Sequence, residues 1–65
     1  MDKLREIRKQ KGMTQATLSA FSGVNRVCIA KYETGKSEPT LKTAQRLAET
    51  LGVTVDDLIG KAAEE

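Results

Sequence analysis

The chain has 65 residues, 38% hydrophobic and 31% charged, with one cysteine, no histidine and a formal net charge of +2. That length suits one small domain with an economical core, and the apolar content is too high for a disordered chain. The residue supply offers no internal disulfide, no zinc site of the usual kind, no imidazole base and no activated nucleophile, so neither an enzyme nor a cofactor is expected.

Period and caps predict five helices and an all-α fold. The first runs from Asp2 to Lys11, with Leu4, Ile7 and Arg8 on one face, and Gly12 stops it. Thr14 caps the second, Gln15 to Ser22, which Gly23 ends. Asn25 caps the third, Arg26 to Glu33, which breaks at Thr34-Gly35-Lys36. Ser37-Glu38-Pro39-Thr40 is a loop, because Pro39 cannot continue a helix, and Thr40 caps the next. The fourth helix spans Leu41 to Leu51, with Ala44, Leu47, Ala48 and Leu51 on one stripe. The fifth is short, Val55 to Ile59, capped by Thr54 and closed by Gly60. Residues 1–60 form the domain, and 61–65 carry no core signal and are expected to fray. No apolar run has the length of a membrane span, and the charged start has no signal-peptide stretch, so a cytoplasmic protein without a membrane partner is the expectation.

Charge is unevenly placed. Residues 1–36 hold eight bases and three acids, a net +5, whereas the rest holds three bases and six acids, a net −3. The first part of the chain is suited to a polyanion and the second repels one.

The second and third helices are joined only by Gly23-Val24-Asn25. So short a turn fits two helices crossing steeply, as in a helix-turn-helix. Ser19 is small where they cross, Gly23 suits a left-handed turn, and Val24 and Ile29 point to the core. At about 100° per residue, Arg26, Val27, Ala30 and Lys31 share one arc of the third helix. Cys28, Ile29, Tyr32 and Glu33 share the opposite, mostly apolar arc. The first arc is basic with small or branched apolar residues and fits the DNA major groove. There Arg26 can donate twice to guanine, Val27 can touch a thymine methyl, Ala30 can approach a base edge, and Lys31 can reach a guanine or a phosphate. Cys28 reads as a half-buried small residue, and Asp56-Asp57 as charge compensation at a helix start instead of a metal site.

Met13-Thr14-Gln15, Leu18, Ser22-Gly23-Val24, Ile29, Tyr32-Glu33-Thr34-Gly35-Lys36, Pro39, Leu47-Ala48, Leu51-Gly52-Val53 and Asp57-Leu58 together resemble the Cro/Xre-type, lambda-repressor-like helix-turn-helix family. The resemblance runs from about Leu4 to Ile59 and implies a compact five-helix DNA-binding domain. It implies backbone contacts from Gln15, Thr34 and Lys36. It also implies a structural ion pair of Arg8 with Glu33, which helical phase supports, since both lie on inward faces. The chain departs from the family pattern at four places. Ser19 replaces the usual Ala, and Thr17 the Glu that completes a capping box with Thr14. Phe21 stands at a usually polar position, as extra core or as an exposed contact. Glu38 lies in a loop that often carries a base, which weakens the case for a DNA contact there.

The leading expectation is a sequence-specific DNA-binding transcriptional regulator, a repressor, with double-stranded DNA as partner and no small-molecule ligand. One recognition helix reads few base pairs, so a homodimer on a two-fold operator is expected. Val55, Leu58 and Ile59 are the candidates for the dimer contact, unless they only close the core. The alternative is a protein-interaction module of the same fold, an antitoxin or anti-repressor subunit, with weak or no DNA binding.

Overall fold

Side-chain oxygens at helix starts dictate where four of the five helices begin. The computed structural model describes residues 1–60, so the expected frayed tail at 61–65 lies outside the described residues. The helices are α1 (Leu4–Gln10), α2 (Gln15–Ser22), α3 (Arg26–Thr34), α4 (Leu41–Leu51) and α5 (Val55–Ile59), and the described residues contain no strand. Thr14, Asn25, Thr40 and Thr54 accept from the backbone N–H of Thr17, Val27, Thr43 and Asp57, satisfying donors that helix starts leave free. At α5 the cap is reciprocal, because Asp57 Oδ2 accepts from the Thr54 N–H at 3.1 Å.

The first helix differs from the sequence expectation. It starts at Leu4 and not at Asp2, and ends at Gln10. Lys3, at the cap position, has no side-chain oxygen to offer and makes no side-chain cap bond. Its N–H instead donates to the Leu58 carbonyl at 2.9 Å, so the residues before α1 are drawn onto α5. Likewise the nitrogen of Met1 donates to the Tyr32 carbonyl at 2.9 Å and lies 3.8 Å from a Glu38 carboxylate oxygen. That contact places Glu38, within the α3–α4 loop, beside the chain start.

The core takes one wholly enclosed side chain from each helix: Leu4, Leu18, Ile29, Leu47 and Leu58, all at 0% exposure. Full burial of an aliphatic side chain of this size contributes roughly 1.5–3 kcal/mol. Met1, Val24, Tyr32, Ala44, Ala48 and Leu51 fill the space between them. Helix α2 packs on both α3 and α4, α4 on α5, and α1 on α3 and α5. The arrangement leaves the outer arc of α3 free.

Candidate nucleic-acid interface

The α2–α3 turn is held by two hydroxyls from the last turns of α2. Gly23 adopts φ +75°, a left-handed conformation that glycine takes without steric cost. The Ser19 hydroxyl donates to the Val24 carbonyl at 2.6 Å. The Ser22 hydroxyl donates to the Leu18 carbonyl at 2.7 Å and accepts from the Val24 N–H at 3.2 Å. Val24 drops into the core between them. The sequence suggested only that Ser19 was small. Its polar role, and that of Ser22, were signalled by two serines just ahead of a glycine turn, because serine readily bonds nearby backbone.

On α3, Ile29 and Tyr32 are buried and Cys28 is half-buried, while Arg26, Val27 and Lys31 stand open to water. Val27 is 62% exposed, unusual for a branched aliphatic residue on a nine-residue helix. Ala30 is half-buried between the two arcs. Asn25 Oδ1 accepts from the Val27 N–H at 2.7 Å, which fixes the first turn that carries Arg26 and Val27. Burial, and next Cys28, push the Tyr32 hydroxyl above its ordinary pKa.

Beneath this helix lies a polar knot. Arg8 Nε donates to Glu33 Oε2 at 2.6 Å, and Arg8 Nη2 to Glu33 Oε1 at 3.3 Å. Arg8 Nη1 donates to the Met13 carbonyl at 2.7 Å, and Gln15 Nε2 to Glu33 Oε1 at 3.0 Å. The Glu33 side chain is only 3% exposed. Burial pushes its carboxyl up. Hydrogen bonds from Arg8 and Gln15, and the charges of Arg8 and Arg5, outweigh burial and hold it below the ordinary carboxylate value. One carboxylate therefore ties α1, the start of α2 and the end of α3 together. Gln15 commits one amide N–H to this knot and retains a second.

Thr34 is exposed on the last turn of α3. Its hydroxyl donates back to the Ala30 and Lys31 carbonyls at 3.1 and 3.2 Å. Lys36, exposed and with its N–H on the Lys31 carbonyl at 2.9 Å, is the cation beside it. Ala30, Lys31, Thr34 and Lys36 line a shallow notch of about 220 Å³ on the outer side of α3. A larger hollow of about 350 Å³ lies elsewhere, between α1 and α5, where Lys3 and Glu6 pair at 3.3 Å.

Of the three dimer candidates, Leu58 is wholly enclosed and has no surface to offer a partner, on a helix packed against α4 and α1. Val55 and Ile59 are half-buried against the core and keep part of their surface. Phe21 does not join the core and is 70% exposed.

A helix-turn-helix family model matches residues 4–58. The chain belongs to the Cro/Xre-type helix-turn-helix family. Among its Cro/Xre-type relatives is the SPbeta prophage-derived HTH-type transcriptional regulator YonR of Bacillus subtilis. It is 41% identical over 58 residues, 89% of this chain and 54% of YonR. The CTXphi transcriptional repressor RstR of Vibrio cholerae is 30% identical over 98% of this chain and 57% of its own length. The transcriptional activator BcrR of Enterococcus faecalis is 33% identical over 89% of this chain and 28% of its own length. The chain thus spans about half the length, or less, of these relatives. No helix among the described residues is long and apolar enough to cross a membrane.

Proposed function

We propose that this chain is a sequence-specific DNA-binding module of a transcriptional regulator, with α3 lying in the major groove. The observation that carries this reading is the outer arc of α3, where Arg26, Val27 and Lys31 are exposed and Ala30 is half-exposed on a helix braced from behind by the Arg8–Glu33–Gln15 knot. Arg26, Val27, Ala30 and Lys31 face base edges in this reading, and Gln15 and Lys36 face phosphates. The names of YonR, RstR and BcrR, all transcriptional regulators, support it. RstR is named a repressor, which favours repression here, and BcrR an activator.

The regulator acts as a homodimer on a two-fold operator, since α3 alone offers four side chains to bases and a single module discriminates weakly. Val55 and Ile59 supply the apolar part of that contact. Selection of bound duplexes from a random pool, with solution mass measured on the bound and free protein, tests both parts. A two-fold consensus and a 2:1 complex are expected. Affinity must also fall steeply between low and moderate salt, as counterions are released from each neutralised phosphate. Absence of DNA affinity at low salt overturns the reading in favour of a protein-interaction module.

A further inference from the structure

The notch on the outer side of α3 has a composition that DNA-backbone contact does not explain. Ala30 contributes a methyl group, and Thr34 a second beside a hydroxyl that bonds the Ala30 and Lys31 carbonyls. The remaining walls are Lys31 and Lys36, which bring aliphatic stems and terminal cations. An apolar hollow one helical turn long, framed by two ammonium groups, suits a small apolar group attached to a polyanion.

We propose that this notch is a thymine-methyl site, resting on the reading of α3 as the major-groove helix. Thymine alone among the DNA bases shows a methyl group in the major groove, next to the O4 acceptor. The methyl seats between the Ala30 and Thr34 methyl groups, and the Lys31 ammonium donates to O4. Lys36 pairs with a flanking phosphate. A 5-methylcytosine has the same methyl group, but beside it stands an N4–H₂ donor, which meets the Lys31 cation unfavourably. The pairing of methyl walls with a donor therefore selects thymine. This assignment also gives Thr34 a base-reading role through carbon.

The test uses the duplex selected from the random pool. Each thymine is replaced singly by deoxyuridine, which removes only the methyl group, and binding is measured for the wild-type protein and for Thr34→Ser. Serine keeps the hydroxyl that bonds Ala30 and Lys31 and lacks only the methyl. At one thymine per half-site, loss of the base methyl is expected to weaken the wild type about fourfold, the value of burying one such group. For Thr34→Ser the loss at that position falls below about twofold, while both proteins bind the deoxyuridine duplex equally. Replacing that T·A pair by 5-methylcytosine·G is expected to weaken the wild type. The proposal is overturned if no thymine is methyl-sensitive, if both proteins lose equally, or if 5-methylcytosine·G binds as well as T·A. A protein that selects no sequence at all overturns the DNA reading itself, which is a distinguishable result.

Discussion

Arg8 Nε lies 2.6 Å from Glu33 Oε2, joining α1 to the last turns of α3 where neither side chain has appreciable contact with water. Two ions taken out of water are stable there because each has further partners: Arg8 also meets the Met13 carbonyl, and Glu33 also meets Gln15. No buried side-chain nitrogen or oxygen among the described residues lacks a partner.

Removal of one partner is the costly perturbation. Arg8→Ala leaves Glu33 charged and enclosed, and should destabilise the fold by about 3–5 kcal/mol, a large share of a small domain's stability. The double variant Arg8→Met with Glu33→Leu should lose much less, since it removes both charges and preserves volume. Urea unfolding of the three proteins checks the order.

The same pair sets the acid limit. The folded-state pKa of Glu33 is lowered, so as pH falls the unfolded chain takes up the proton first. The contribution of Glu33 is thus complete above the ordinary carboxylate value of about 4.3. It is lost progressively below that, as pH falls through the lower folded value. Unfolding midpoints from about pH 7 to pH 2 should decline in that acid window. In Glu33→Gln the decline should be smaller, and the stability at neutral pH lower. An equally steep acid decline in Glu33→Gln would assign it to other carboxylates.

Gly23→Ala tests the turn. A side chain placed there meets Arg46 Nη1 at 3.7 Å, an ordinary contact, so crowding is not the difficulty. The cost comes from φ +75°, and should be about 1–2 kcal/mol by chemical denaturation. Gly23→Asn should cost less, because asparagine tolerates the left-handed region.

Arg26 and Lys36 should fail in different ways. Arg26→Ala is expected to cost about 1–3 kcal/mol and relax preference at one base position. Lys36→Ala is expected to weaken every sequence alike and lower the salt slope by about one. Binding across operator variants at several salt concentrations separates the two; a uniform loss in Arg26→Ala contradicts base readout by that residue.

Much of this arrangement was legible in the sequence because it is local. Thr14, Asn25, Thr40 and Thr54 mark helix starts by chemistry that needs only three neighbouring residues. The inward arc of α3 follows from spacing alone. What escaped was decided by partners distant in sequence. The Lys3 N–H goes to Leu58, 55 residues away, a contact that no local pattern marks. Leu58 looked available to a partner because a five-residue helix does not reveal which of its apolar residues the rest of the chain covers.

The contribution of one wholly enclosed side chain by every helix has a bearing on how the molecule opens. No helix forms an outer layer that can peel away and leave a sealed remainder. Lifting α5 uncovers Leu58, and lifting α1 uncovers Leu4. Amide protons in all five helices are accordingly expected to reach solvent largely through one cooperative event, with protection factors that converge on the global unfolding free energy.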